Sequence, residues 1–329
     1  MRLLLTGGTG FFGRALLKAL TVGAESVEVT VLTRNPEVFL LKYPQWASPA
    51  WLRLQAGDVT QTDSLGPLTG RDRFTHVLHA ATDSTDAGGL TGLQRMDQIV
   101  IGTRNLLEFA AGQGIKRFLL ASSGGVYGPQ PQNLPSIPET YLGMPDPMLT
   151  RSTYGIAKRH AEHLCALYAQ SHGLETVVAR CFAFVGEDLP LDAHFAIGNF
   201  IRDALTKDSI TVNSDGSALR SYLDQRDLAH WLLTLLVRGK AGSAYNVGSD
   251  HAVSILKLAH TVRDLLAPQK SVQVFGSPNQ TPINNRYIPC ISRVRDELGL
   301  GVNIGLEDAI RFTARAHMAN FRSQSGSAS

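Results

Sequence analysis

Tyr154, Lys158 and Ser123 are the residues whose types and spacing suggest chemistry. Tyr154 and Lys158 stand four apart in Tyr154-Gly-Ile-Ala-Lys158, where a helical pattern begins. That spacing puts both side chains on one helical face. A phenol with an ordinary pKa near about 10 is a poor base at neutral pH. A neighbouring ammonium, together with an oxidised nicotinamide, would stabilise the phenolate and lower that value. Ser123 follows the apolar run Phe118–Ala121, and its hydroxyl is placed to hold a substrate oxygen beside the phenol. The three make a relay that moves a proton while hydride moves to or from a nicotinamide.

Such a relay needs a cofactor cradle, and the N-terminus offers one. The run Arg2–Leu5 leads straight into Thr6-Gly7-Gly8-Thr9-Gly10-Phe11-Phe12-Gly13 and then a helical pattern. In such a loop the first glycine permits the tight turn, the second lets the backbone approach a pyrophosphate, and the third lets helix and strand pack closely. The helix N-terminus then offers N–H groups and a positive dipole to the phosphates. An acidic residue at the end of the second strand would accept from the ribose 2′-OH of NAD. Thr33 and Arg34 stand there instead. An arginine can pair with a 2′-phosphate and stack on adenine, so NADP is expected ahead of NAD. Gly57-Asp58-Val59 closes the third strand, with Asp58 placed to reach the adenine amino group. After the fourth strand, Ala80 and Ala81, followed by Thr82, leave room for the cofactor to cross the strand ends.

The elements that position these residues are legible as short apolar runs separated by longer helical patterns. The runs are Arg2–Leu5, Val27–Leu32, Leu52–Ala56, His76–His79, Phe118–Ala121 and Thr176–Ala179. Helices are expected at Phe12–Leu20, Met96–Ala111 and Thr153–Ser171. Buried parallel strands have this character, and the alternation implies an α/β fold with a Rossmann-type, doubly wound parallel sheet and right-handed crossovers. After about Phe182 loops become denser and helices shorter, at Asn199–Leu205, Leu228–Val237, Leu256–Leu265 and Leu306–His317. The expected organisation is a dinucleotide-binding part over 1–180, a smaller C-terminal α/β part over 181–321 that is mainly substrate-binding, and a disordered polar tail over 322–329.

Bulk properties narrow the function classes. The chain has 329 residues, 43% of them hydrophobic, enough for a substantial core. A formal charge of +3, with no block of like charges, gives no case for nucleic acid. Cys165, Cys181 and Cys290 lack metal-like or redox-like spacing and are read as reduced core residues. No metal site is expected. The N-terminus does not resemble a signal peptide and no apolar stretch is long enough to span a membrane, so a cytoplasmic protein is expected.

Taken together, Thr6-Gly7-x-x-Gly10-x-x-Gly13, His79-Ala80-Ala81, Ser122-Ser123-Gly-Gly-Val-Tyr127-Gly128 and Tyr154-x-x-x-Lys158 resemble the extended short-chain dehydrogenases. Within them the chain is similar to the NAD-dependent epimerase/dehydratase group that acts on nucleotide sugars. The likeness continues through Ala179-Arg180-Cys-Phe182, Arg220-Ser-Tyr-Leu-Asp224-x-x-Asp227-Leu and Tyr245-Asn246-Val-Gly248. It implies a nucleotide-diphosphate sugar held between the two parts, with Asn199, Arg220 and Arg286 as candidates for its nucleotide and diphosphate. It also implies a homodimer pairing Met96–Ala111 and Thr153–Ser171. Asp83 and Ser84, after the fourth strand, are placed to touch the sugar, whereas His160 and His194 read as ordinary polar residues.

Three departures from the family pattern stand out. Gly124 and Gly125 occupy the two positions where sugar 4,6-dehydratases carry acidic residues for eliminating water, which argues against that reaction. Ile99 and Ala183 replace asparagines that many members carry. The remaining readings are a 4-keto-sugar nucleotide reductase using NADPH, which Thr33-Arg34 favours, and a C4 epimerase retaining NAD. A reading of another class, a dinucleotide-binding sensor or scaffold, has no need of the intact relay.

Overall fold

The computed structural model describes residues 1–22, 27–70, 74–82, 89–276 and 285–326. Its first elements are β1 (Arg2–Thr6), α1 (Phe11–Thr21), β2 (Glu28–Thr33), α2 (Pro36–Lys42), β3 (Leu52–Ala56), β4 (His76–His79), α3 (Gly92–Gly112), β5 (Arg117–Ser123), α4 (Thr153–His172) and β6 (Glu175–Cys181). Helix α3 begins before the Met96 expected from its apolar pattern, because Thr91 and Gln94 close a reciprocal capping box that supports an extra turn. The remaining elements are β7 (Phe184–Val185), α5 (Ala196–Thr206), β8 (Ser209–Val212), β9 (Leu219–Arg220), β10 (Leu223–Asp224), α6 (Gln225–Arg238), β11 (Ser243–Val247), β12 (Val253–Ser254), α7 (Ile255–Leu266), β13 (Ser271–Val274), β14 (Arg286–Tyr287), α8 (Ser292–Leu298) and α9 (Leu306–Gly326).

Seven strands form the main sheet in the order β11-β6-β5-β4-β1-β2-β3, and every neighbouring pair is parallel. Alternate residues of a strand face opposite ways, and here both faces are covered. Leu3, Leu5, Leu78 and Leu119 pack into one apolar layer beneath α1 and α6. Leu4, Val77, Phe118 and Leu120 pack into the other beneath α3 and α4. This is the doubly wound Rossmann-type sheet. Successive strands run outward from β1 one way and from β4 the other, so the connections reverse between them. Crevices at such switch points open at the carboxyl ends of the strands.

A third apolar cluster joins α5, β8, α7 and α9 through Phe200, Ile201, Val212, Leu258, Val262 and Ile310. It forms the core of the C-terminal part. The chain does not divide cleanly after residue 181, however: α6 packs against the main sheet, and β11 extends that sheet beside β6. Helix α9 continues to Gly326, so the polar segment from Arg322, expected to be disordered, begins inside a helix. No glycine or proline interrupts the chain between His317 and Gly326, and these are the residues that most disfavour helix. Among the described residues no helix is long and apolar enough to cross a membrane. Cys165 and Cys181 are buried, Cys290 is partly so, and all three are free thiols.

Candidate active site

The glycine loop follows β1 and lies against the end of β4. Gly7 has φ +74°, and a Cβ there would fall 2.4 Å from the carbonyl oxygen of Ala80. A Cβ on Gly13 would lie 2.2 Å from Gly8 Cα, so α1 packs on its own loop at that point. Gly10 differs: a Cβ there meets only the Gly7 carbonyl oxygen, at 3.5 Å. Gly10 also caps α1 without a side-chain partner, which leaves first-turn N–H groups available to an anion. The loop therefore has the close turn, tight packing and open middle that a pyrophosphate cradle requires.

A cavity of about 1260 Å³ runs from this loop across the strand ends into the C-terminal part. It exceeds the ~300–1,000 Å³ usual for one small ligand, which suits a dinucleotide and a second ligand end to end. Gly7, Thr9, Gly10, Phe11, Phe12, Thr33, Arg34, Asp58, Val59, Ala80, Ala81 and Thr82, the residues proposed from the sequence for the cofactor, all line it. Gly13 lies behind the loop, outside the lining. Arg34 is exposed at the rim. Asp58 Oδ1 accepts from both the backbone N–H and the hydroxyl of Thr60, at 2.8 Å each, which fixes its carboxylate.

Beneath the cavity floor, His79 joins β4 to β1 and α3. Its Nδ1 lies 2.7 Å from Thr6 Oγ1 and its Nε2 lies 3.2 Å from Thr103 Oγ1. The Thr103 hydroxyl donates to the Ile99 carbonyl at 2.6 Å, so it accepts from His79, and Nε2 carries the proton. Burial, with the Lys158 charge added, holds this imidazole down to about 3 and therefore neutral.

Ser123, Tyr154 and Lys158 all line this cavity. Ser123 ends β5, and its Oγ accepts from the Gly125 N–H at 3.0 Å. Tyr154 stands in the first turn of α4, with Lys158 one turn on. Lys158 Nζ donates to the Ala121 carbonyl at 2.6 Å and to Thr82 Oγ1 at 2.9 Å. It sits 5.9 Å from the centroid of the Tyr154 ring. Burial lowers this ammonium to about 8 despite the favourable fields of Cys181 and Glu162.

The phenol behaves differently from the expectation that its neighbour would lower its pKa. Burial above all, with Tyr287 and Cys181 adding to it, holds Tyr154 above the ordinary tyrosine range, while Ser123 and Arg95 pull the other way. On their own the protein groups keep the phenol neutral, because desolvation disfavours the phenolate more than its neighbours favour it.

Behind these three side chains, Ser122 donates to Glu162 at 2.6 Å, and Glu162 pairs with Arg180 at 2.7 Å. Arg180 also donates to the Tyr127 hydroxyl at 2.9 Å, and that hydroxyl donates to Asn246 Oδ1 at 2.8 Å. This satisfied network ties β5, α4, β6 and β11 together and stiffens the strand end that carries Ser123.

On the far side, Asn199 and Arg220 line the cavity. Arg202 donates to Asn199 Oδ1 at 3.1 Å. Arg220 donates to the carbonyls of Leu219 and Asn285, at 2.8 and 3.0 Å. Among the described residues no carboxylate forms an ion pair with it, and burial lowers its pKa. A partly desolvated guanidinium without a counter-charge suits an incoming anion. Arg286 does not join it. Asn285 and Tyr287, on either side of it in the chain, line the cavity, and alternation turns Arg286 to the other face, where among the described residues its Nε has no hydrogen-bond partner. Asp83 and Ser84 lie outside the described residues.

The sequence reading missed Tyr287, Cys181, Phe182, Thr211 and Asn213, which also line the cavity. His194 lines it too, stacked near Phe195 with centroids 4.4 Å apart. For Tyr287 a signal existed, since one of two adjacent strand residues must face the site. The resemblance pointed to Arg286, which is outside the lining.

Residues 3–248 match the family model described as NAD dependent epimerase/dehydratase family. UDP-glucuronic acid decarboxylase 3 of Arabidopsis thaliana is 30% identical over 310 residues, covering 94% of this chain and 87% of the relative. UDP-glucuronic acid decarboxylase 1 of Danio rerio is 28% identical, covering 95% of this chain and 71% of the relative. Among solved structures, the UDP-glucose 4-epimerase of Thermotoga maritima superposes with a TM-score of 0.84 at 21% identity, over 98% of this chain and 100% of the other. The dTDP-glucose 4,6-dehydratase of Streptomyces venezuelae, solved with NAD, gives 0.82 at 23%, over 97% and 98%.

Proposed function

Because the chain belongs to the NAD-dependent epimerase/dehydratase family, we propose that it is an oxidoreductase acting on a nucleotide-diphosphate sugar through Ser123, Tyr154 and Lys158. The observation that carries this reading is their convergence in one cavity, between an open glycine cradle and the guanidinium of Arg220, which forms no ion pair with a carboxylate among the described residues. The cofactor bound at the cradle would supply or accept hydride at a sugar carbon. Ser123 holds the oxygen on that carbon. Tyr154 donates its proton to that oxygen in reduction and takes one from it in oxidation. Lys158 fixes the field around the phenol from its anchor on β5. Arg220 and Asn199 hold the diphosphate and nucleotide.

The preferred reaction is reduction of a 4-keto-sugar nucleotide with NADPH. Arg34 at the rim supports NADP, since a guanidinium pairs with a 2′-phosphate and cannot accept from a ribose hydroxyl. A neutral resting phenol supports reduction, because it enters the cycle as a proton donor. Gly124 and Gly125 leave no acid beside the serine for elimination. The relatives named as UDP-glucuronic acid decarboxylases favour a second reading, a closed cycle in which the sugar is oxidised and then reduced so that the cofactor is restored. C4 epimerisation is also such a cycle. A cytoplasmic homodimer paired through α3 and α4 fits either reading; Leu93 and Ile101 on α3 and Leu167 on α4 are exposed apolar side chains.

The deciding experiment mixes the protein with NADPH and UDP- or dTDP-linked 4-keto-6-deoxyglucose, and in parallel with UDP-glucose or UDP-glucuronate. Stoichiometric loss of NADPH with a keto sugar supports the reductase. Interconversion of sugars, or release of CO₂ from UDP-glucuronate, without net cofactor change establishes the closed cycle instead.

A further inference from the structure

Helix α1 does more than present its N-terminus at the glycine loop. Phe11, Arg14 and Lys18, spaced three and four apart, share one side of it. All three reach the C-terminal part. Phe11 packs against both the main-sheet core and the C-terminal cluster. Arg14 donates to the backbone carbonyl of Asp188 at 2.9 Å and stands 3.4 Å from its carboxylate. Lys18 Nζ lies 2.8 Å from the carboxylates of both Asp188 and Glu187. From α6, the Gln225 amide donates to Asp188 Oδ2 at 3.0 Å and accepts from the Asp188 N–H at 3.0 Å. The Asp188 side chain is only 7% exposed. A carboxylate so well covered, with charged donors on it, makes stronger and more directional contacts than a surface ion pair.

The residues after Asp188 carry the consequence. Leu189 and Pro190 line the cavity. Leu189 and Leu191 pack with Ile197 and Phe200 of α5. Helix α5 sits close on this turn, since a Cβ on Gly198 would meet the Pro190 carbonyl oxygen at 3.0 Å. Arg202 joins the same pieces, donating to the Leu191 carbonyl at 3.4 Å and to Asn199 Oδ1 at 3.1 Å. Asn199, next to Gly198, lines the cavity. Helix α1 is itself seated by the buried Ala15, Leu16, Leu17 and Leu20, and by Gly13 on its own loop. If the ion pairs are lost, the turn after Asp188 is therefore the side that gives, and the glycine cradle stays.

We propose that Asp188 is a positioning residue whose ion pairs with Arg14 and Lys18 hold the Leu189–Pro190 wall and Asn199 in register with the dinucleotide cradle. This rests on the nucleotide-sugar reading above. A nucleoside diphosphate bound on the C-terminal side then lies with its sugar at the relay. The Asp188 carboxylate touches no ligand; it acts through the turn that follows it and through α5.

Asp188→Asn tests this, because it removes the charge and keeps an oxygen for Gln225. UDP, dTDP and NADPH are titrated into the wild type, Asp188→Asn, Lys18→Met and the double variant, and each protein is melted. Asp188→Asn should bind whichever of UDP and dTDP the wild type prefers about tenfold more weakly, with NADPH affinity unchanged. Lys18→Met should lose about threefold for the same nucleotide, and the double variant less than the product of the two losses, since the residues share one tie. Lys18 is half-exposed, so its variant carries the test if Asp188→Asn does not fold. Wild-type nucleotide affinity in the variants, whatever their melting temperatures, would overturn the assignment. So would an equal loss for NADPH, or losses that simply multiply. If the wild type binds neither UDP nor dTDP, the nucleotide-sugar reading itself falls, and the role of Asp188 with it.

Discussion

The ammonium of Lys158 donates to the carbonyl oxygen of Ala121 at 2.6 Å, so its charge is anchored on the same strand that ends in Ser123. Its other bond, to Thr82, reaches the end of β4. The lysine is held by two strand ends of the sheet, and its position owes nothing to a bond with Tyr154.

That anchorage predicts a pH dependence. Burial lowers Lys158 to about 8, so the ammonium is lost as pH rises through that value. In the proposed reductase kcat/KM should fall on the alkaline side near that pH, and Lys158→Met should be slow at every pH without that limb. Stability should move the other way. The unfolded lysine holds its proton up to about 10.4, so between the two values the unfolded chain binds more protons and stability rises with pH. Chemical denaturation at the two ends of that window should show the wild type gaining stability relative to Lys158→Met as the pH rises.

Tyr154→Phe should lower turnover by about 10²–10⁴-fold while leaving cofactor binding intact. Rate measurements and cofactor titration on one preparation separate the two. A variant inert in vitro that still complements a deletion in cells would show that binding alone suffices, which is the scaffold reading.

Arg34→Asp should invert cofactor preference. Removing a charge-assisted contact to a 2′-phosphate costs about 1.5–3 kcal/mol, or roughly ten- to a hundredfold in NADPH affinity. The new carboxylate can accept from the ribose of NADH. Fluorescence titration with both cofactors reads the change; equal NADPH affinity in the two proteins would leave Arg34 a rim residue.

Gly10 and Gly13 should fail in different ways when changed to alanine. At Gly13 the methyl meets Gly8 Cα at 2.2 Å, and overpacking of that kind costs about 1–3 kcal/mol, so the melting temperature should drop. At Gly10 the methyl meets only a carbonyl oxygen at 3.5 Å. That variant should melt like the wild type and bind the dinucleotide poorly.

Much of this was legible in the residues themselves. The strand–glycine–helix start and the Tyr154/Lys158 spacing are local patterns, and β3 and β4 were delimited to the residue by runs between loops. Strand β11 was not read as a strand, because Ser243-Ala-Tyr-Asn-Val247 is too polar to look buried. Asn246 is nevertheless fully buried. Its amide donates to the carbonyls of Ile137 and Cys290 and accepts from Tyr127, partners too distant in sequence for any local window. The same holds for Tyr287: its place depends on the parallel pairing of β14 with β9, and a two-residue strand has no periodicity of its own to reveal which side faces inward.

The return of α6 and β11 to the main sheet bears on any attempt to dissect the protein. A fragment stopped near residue 180 would lose the helix over Leu3, Leu5 and Leu119 and would leave β6 with unpaired backbone along one side. Bare edges of that sort pair with other chains, so such a piece should precipitate on expression. The N-terminal and C-terminal parts are sewn into each other, and neither can be had alone by cutting where the motifs change.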